Sequence, residues 1–150
     1  MKFNIIEAKS KHIEQVGELF DLYRQFYKYE SNLIESTNYI KDRITNNESI
    51  IFIAINDANE AIGFVQLYET FGSLDLGKII ILYDLYVKKN HRKNNIGKQL
   101  MIKSHEYAKK IKAKRIQLST AIDNFIGQSL YESLGYVKDA DFYTYDFEIK

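Results

Sequence analysis

The chain contains no cysteine. That excludes disulfides, thiolate metal sites and a covalent acyl-enzyme on a cysteine nucleophile. Its three histidines, His12, His91 and His105, show no paired metal-ligand spacing, so no metal is expected. Net charge is nearly nil: 21 Lys and Arg against 20 Asp and Glu leave +1, where a general nucleic-acid binder would be plainly basic. The longest apolar runs, residues 50–55 and 79–83, fall far short of the roughly 18 residues that cross a membrane. Met1-Lys2-Phe3-Asn4 runs straight into a strand-like segment without an apolar signal core, so a cytoplasmic location is expected. There is no internal repeat, low-complexity tract or linker, and 150 residues with 45% hydrophobic content suit one domain with one core. A single domain over residues 1–150 is expected.

What is present reads as alternating elements. Residues 3–8 predict a strand. Ser10 is a candidate N-cap, and Ile13, Val16, Leu19, Phe20 and Tyr23 follow helical spacing. A shorter helix is expected over 36–45, then a hairpin of strands 49–55 and 61–68 about the turn at 57–60. Residues 71–77 read as a loop. Residues 78–87 are nearly continuously apolar, the mark of a strand covered on both faces. A long helix follows from about 95 to 111, then a strand over 115–120 and a helix over 125–134 stopped by Gly135. Residues 137–141 and 142–149 read as closing strands. The class is therefore α/β (α+β), an antiparallel meander followed by a βαβ unit whose parallel pair is where a ligand site is expected.

Between the strong strand and the long helix lies Arg92-Lys93-Asn94-Asn95-Ile96-Gly97-Lys98. A loop feeding a helix N-terminus offers unpaired backbone N–H groups and the positive end of the helix dipole, a good seat for a pyrophosphate. Gly97 allows close backbone approach, and Lys88, Lys89, Arg92, Lys93 and Lys98 add positive charge. A solvated loop and helix cap has the same composition. Further on, Asn124, Gly127, Leu130, Tyr131, Gly135 and Tyr136 form a second motif.

The two segments, in this order and separation, resemble the paired signatures of the GNAT superfamily of acetyl-CoA-dependent N-acetyltransferases. The first signature is Arg or Gln, two residues, Gly, one residue, then Gly or Ala. Arg92 and Gly97 match; Asn95 replaces the first glycine, and asparagine is the non-glycine residue most tolerant of left-handed geometry. The resemblance covers essentially the whole chain. It implies a mixed, mostly antiparallel sheet of about seven strands with about four helices on both faces. It also implies acetyl-CoA as co-substrate, held by Leu85, Tyr86 and Val87, by the turn Arg92, Lys93, Asn94, Asn95, Ile96, Gly97 and Lys98, and by Asn124 along the pantetheine arm. The Tyr131 hydroxyl would lie near the sulfur as catalytic acid, and a backbone N–H among residues 85–87 would stabilise the oxyanion.

Without cysteine, direct attack of an amine on the thioester is the simplest route. An alkylamine is only about 0.04% neutral at pH 7, so a base is needed. Asp84 sits inside an apolar strand, where burial would raise its pKa and suit it to that work; it could equally anchor a loop or a bulge. In diamine acetyltransferases, which the chain resembles around residues 77–87 and Tyr29-Glu30, a glutamate commonly occupies the position of Tyr83, and here it is absent. Glu30 and Glu69 are further candidates. With Asp75 and Asp84 they could form an acidic acceptor pocket, and Tyr27, Tyr29, Tyr68 and Phe71 could supply cation–π contacts. A small polyamine-like primary amine is the expected acceptor, with Tyr27, Glu30, Glu69 and Asp84 as its contacts. A protein or peptide amine, or a non-catalytic acetyl-CoA-binding module, is the alternative. The aromatic segment 142–147 could pair across a two-fold axis, so a homodimer is a candidate assembly.

Overall fold

The chain runs β1 (Phe3–Glu7), α1 (Ile13–Phe26), α2 (Leu33–Thr45), β2 (Ile50–Asn56), β3 (Ala61–Gly72), β4 (Gly77–Val87), α3 (Ile96–Lys110), β5 (Ile116–Gln117) and α4 (Phe125–Ser133) in the computed structural model, which describes residues 1–150. These elements form two units, Met1–Leu118 and Ser119–Lys150.

In the first unit the strands lie in the order β1-β2-β3-β4-β5, antiparallel throughout except that β4 and β5 run parallel, joined by α3. The period-2 pattern of β2 builds both faces. Ile51, Ile53 and Ile55 share a buried cluster with Val16, Leu19 and Phe20 of α1, Ile40 of α2 and Phe64 of β3. Phe52, pointing the other way, meets the ring of Tyr107 on α3 edge-on. The expected loop at 71–77 is mostly strand: β3 and β4 pair from Gly63↔Val87 to Gly72↔Gly77, leaving only residues 73–76 to turn. One irregularity interrupts this hairpin. Gln66 opposes Asp84 but Leu67 opposes Leu82, so β4 carries Tyr83 as an extra residue, a β-bulge.

Helix α1 starts later than the Ser10 cap predicts. Residues 10–12 form a single 3₁₀ turn in which the Lys9 N–H donates to Nδ1 of His12 at 2.9 Å, so the capping role falls to a histidine. Helix α2 starts earlier, at Leu33, because the Asn32 side chain accepts the Glu35 N–H. Asp21 ties the two helices together. Its carboxylate accepts from Gln25, Ser31, the Asn32 N–H and Ser36 at 2.6–3.0 Å. Burial alone would raise the Asp21 pKa, yet these four bonds outweigh it and hold the carboxyl below its ordinary value.

In the second unit α4 ends in a Schellman motif. The Tyr136 N–H reaches the Tyr131 carbonyl at 3.1 Å, the Gly135 N–H reaches that of Glu132 at 3.0 Å, and Gly135 takes φ +92°. The rings of Tyr131 and Tyr136 lie 6.2 Å apart over this turn. The strands expected at 137–141 and 142–149 do not form, so the sheet has five strands rather than seven. Alternation marks which side chains would share a face, but a strand exists only with a ladder partner. Here Phe142, Tyr143, Tyr145, Phe147 and Ile149 are all exposed.

Gly17 marks where α1 and α2 cross most closely. A Cβ there would stand 2.8 Å from Cα of Thr37, a backbone atom that cannot swing aside. Gly17→Val is expected to cost about 1–3 kcal/mol of stability, read as a lower midpoint in urea unfolding.

Candidate active site

The turn before α3 has the geometry its sequence anticipates. Asn95 occupies the left-handed region at φ 62°, ψ 10° and stands as N-cap of α3 without a side-chain cap bond. The first intrahelical bond runs from Gln99 N–H to the Asn95 carbonyl at 3.0 Å, which leaves the N–H groups of Ile96, Gly97 and Lys98 with no intrahelical acceptor. The residue Lys93 is left-handed too, at φ 65°. Such a run of forward-pointing N–H groups is an anion seat. Gly63 of β3 sets its height above the sheet: a Cβ there would lie 3.2 Å from Cγ2 of Ile96 and 3.0 Å from the Tyr86 carbonyl.

The cations of the turn divide by role. Lys88 is drawn back to Glu60 at 2.7 Å. Arg92 donates Nε–H to the Val87 carbonyl at 3.0 Å, and its guanidinium lies over the rings of Phe26 and Tyr86 at 5.7 and 5.4 Å. Lys93 and Lys98 are exposed beside the helix start, as is Asn94, which donates to the carbonyls of His91 and Arg92.

β4 supplies the next feature. The Lys88 N–H donates across to the Ile62 carbonyl beside β3 at 2.9 Å. Hydrogen-bond direction alternates along a strand, so Tyr86 and Asp84 face β3 while Leu85 and Val87 turn their N–H groups to the opposite edge. That edge has lost its neighbour, because β5 pairs only Ile80↔Ile116 and Ile81↔Gln117. The two N–H groups form an open rim suited to an extended amide chain or to a developing oxyanion.

The bulge decides what lies behind this rim. On a regular strand Tyr83 and Asp84 would point to opposite faces; the extra residue lets both look toward α1. The Tyr83 ring meets Tyr68 edge-on at 5.9 Å. Asp84 is only 2% exposed. Its Oδ2 accepts from Nε2 of Gln66 at 2.5 Å, and Gln66 is itself oriented by Oγ of Ser49 at 2.8 Å. Burial pushes the Asp84 carboxyl up to about 6, against the opposing pull of its bonds to Gln66 and Tyr23. A carboxyl so placed exchanges protons near neutrality.

The other expected acceptor contacts do not all gather there. Tyr27, half-buried at the end of α1, packs edge-on against Tyr23, and the Tyr23 hydroxyl donates to the Tyr83 carbonyl at 3.1 Å. Glu69 lies on the other face of the sheet, bound to Lys78 at 2.8 Å and to Tyr107 of α3. Asp75 pairs with Arg115 at 3.1 Å, and Glu30 is exposed in the connection between α1 and α2. The structure thus places one carboxylate among the tyrosines rather than a cluster of four.

In the second unit Asn124 caps α4: its Oδ1 accepts the Gly127 N–H at 3.2 Å and its amide donates to Thr120 at 3.0 Å. A Cβ on residue 127 would sit 2.6 Å from Nδ2 of Asn124, the steric reason a small residue follows three positions after the asparagine. Tyr131 is half-buried on α4.

Known proteins resemble the chain in sequence and fold. The model of the Acetyltransferase (GNAT) family matches residues 16–136, which reach from α1 to the end of the second motif. The chain belongs to the GNAT acetyltransferase family. An uncharacterized N-acetyltransferase of Bacillus subtilis, YhfO, is 39% identical over 142 residues, 95% of each chain. A crystal structure of a probable acetyltransferase superposes with TM-score 0.91 at 33% identity over 98% of each chain. An aminoglycoside N-acetyltransferase solved with CoA shares the fold, with TM-score 0.81 at 17% identity over 99% of this chain and 96% of that one. This GNAT protein is an acyltransferase, and its family uses acetyl-CoA.

Reading the sequence alone passes over three residues that surround Asp84: Ser49, Gln66 and Tyr23. Gln66 lies in an apolar strand, where an amide needs buried partners, and that is the signal that could have pointed to it. Ser49 and Tyr23 carry no such mark.

Two outcomes follow from the geometry. Asn95→Gly retains acetyl-CoA binding, whereas Asn95→Val, a β-branched residue forced into the left-handed region, weakens it by about tenfold or more in calorimetric titration. A carboxyl whose pKa rises on folding stabilises most when protonated, so the Asp84 contribution is full below about pH 4 and is lost as pH climbs through about 6. Asp84→Asn should flatten the fall in stability across that window, measured by urea unfolding at several pH values.

Proposed function

We propose that the chain works as one N-acetyltransferase domain, moving acetyl from acetyl-CoA directly to a small primary amine in the cytoplasm, with Asp84 as the base. The observation that carries this reading is the Asp84 carboxyl, buried by the bulge with a pKa near 6, one residue before the free N–H of Leu85. In this reading the left-handed turn at Asn95 seats the pyrophosphate, and Leu85 and Val87 bond the pantetheine arm and the oxyanion. The amine nitrogen attacks the thioester carbon, its proton passes toward Asp84, and the collapse of the tetrahedral intermediate releases the thiolate of CoA. Tyr131, by its place in the second signature, serves as the acid for that thiolate. Family membership across both motifs supports the assignment.

The acceptor we put forward carries a single ammonium group. A polyamine is best held by several carboxylates spaced along it, and Glu69 and Asp75 are already neutralised by Lys78 and Arg115. Tyr27, Tyr68 and Tyr83 offer ring surface to the body of such an amine. The exposed Phe142, Tyr143, Tyr145 and Phe147 support a homodimer as the working assembly.

Thiol release from acetyl-CoA, run with polyamines, aminoglycosides, amino acids, aralkylamines and short peptides, tests the reading. Turnover is expected with single-ammonium amines; turnover confined to polyamines or to peptides would overturn the acceptor class. Tyr131→Phe keeps the ring beside Tyr136 and is expected to lower kcat by about 10²-fold with acetyl-CoA affinity unchanged. An unaltered rate would remove Tyr131 from the mechanism.

A further inference from the structure

Asp84 is nearly sealed from solvent, so a proton leaving an amine needs a carrier to reach it. Its Oδ2 side is closed by Gln66. Ser49 donates to Oε1 of that amide and thereby turns the NH₂ group, not the carbonyl, toward the carboxylate. An amide N–H donates but does not accept a proton, so nothing can pass by that route. The other side is bounded by the Tyr23 hydroxyl, half-buried, which donates to the Tyr83 carbonyl at 3.1 Å and also contacts the Asp84 carboxylate. A hydroxyl both donates and accepts, which the Gln66 amide N–H cannot do.

The Tyr23 ring is held on three sides, by Phe20 at 6.2 Å, Tyr27 at 5.2 Å and Phe64 at 6.1 Å between centroids. The hydroxyl therefore keeps its place, its hydrogen on the Tyr83 carbonyl and the Asp84 carboxylate as the neighbouring acceptor. Burial first, then the Asp84 charge, pushes the Tyr23 phenol far above its ordinary value, so it stays protonated at every working pH. The other titratable groups on this face include the phenols of Tyr27 on α1, of Tyr83 and Tyr86 on β4, and the Tyr39–Tyr68 pair, joined at 2.7 Å between α2 and β3, with the Arg92 guanidinium over Tyr86. The guanidinium of Arg43 lies over Tyr39 and is paired with Glu48 at 3.3 Å. None of these lies between Asp84 and its hydroxyl neighbour as a competing base.

We infer that Tyr23 is the proton relay between the acceptor amine and Asp84, an inference that rests on Asp84 as the base. The amine enters neutral, its ammonium proton having gone to solvent; as the N–C bond forms, one of its remaining protons moves to the Tyr23 oxygen while the Tyr23 hydroxyl proton moves to Asp84. The phenol ends neutral and Asp84 ends protonated. The C–S bond then breaks with its electron pair on sulfur. After product leaves, the same pair of transfers in reverse returns the proton to solvent.

Tyr23→Phe removes only the hydroxyl and keeps the ring packing. Its kcat is expected to fall by about 10²-fold with KM for acetyl-CoA within about twofold. In the wild type kcat/KM is expected to fall below about pH 6 as Asp84 takes its proton, and in Tyr23→Phe that acid limb should disappear. The Tyr23→Phe, Asp84→Asn double variant should be no slower than the slower single one, as members of one chain are not additive. Wild-type rates in mixed light and heavy water should bow with deuterium fraction, marking more than one proton in flight. Tyr23→Phe with unchanged kcat and an intact acid limb, or a linear isotope dependence, would overturn the relay while leaving Asp84 as base. Full activity in Asp84→Asn would overturn both.

Discussion

Tyr83, the extra residue of β4 opposite Gln66 and Leu67, decides which way several neighbouring groups face. Before it, even-numbered residues of β4 bond toward β5, as Ile80 N–H does to the Arg115 carbonyl; beyond it, the even-numbered residues bond toward β3, as Lys88 N–H does to Ile62. The change of parity turns Leu85 and Val87 outward just where β5 has ended, and sets Asp84 inward beneath α1. One insertion thus produces an open backbone rim and a buried carboxyl in adjacent residues. Without it, the strand would present the carboxylate to the α3 side of the sheet, the face of the buried Leu67 and Leu82.

On the proposed reading, the arrangement trades stability for chemistry. A carboxyl with only Gln66 and Tyr23 to satisfy it resists ionisation, and its ionised form strains the fold at neutral pH. Asp21 shows the contrary case in the same unit. It is buried as well, but four donors hold it ionised, and it serves to hold α1 against α2. Counting donors separates the two carboxylates: the well-satisfied one is architectural, and the under-satisfied one is poised to take a proton.

Much of this was legible in the residues, unevenly. Asn95 in the glycine position announced a left-handed turn, because few other side chains tolerate it, and the turn is there. Gly135 announced the end of α4, and the structure adds why an aromatic follows it: Tyr136 closes the Schellman turn over Tyr131. The small residue at Gly127 is likewise explained by the folded-back Asn124 side chain. Strand order through β4 followed from periodicity. The segment 137–149 did not, since alternation names a face without naming a partner. Nor could spacing reveal the bulge, which depends on the register of two strands at once. For that reason Glu69, which looked like a neighbour of Asp84 along the hairpin, lies on the opposite face, and Tyr23, some sixty residues away, lies beside it.

The most direct test is the titration of the Asp84 side-chain carboxyl itself, followed by carbon-13 NMR in the intact protein, with Asp84→Asn to assign the signal. A midpoint near pH 6 is what a bulge-buried catalytic base requires. A midpoint below about 4 would mean that Asp84 is ionised and structurally satisfied, and would contradict the account of the site built around it.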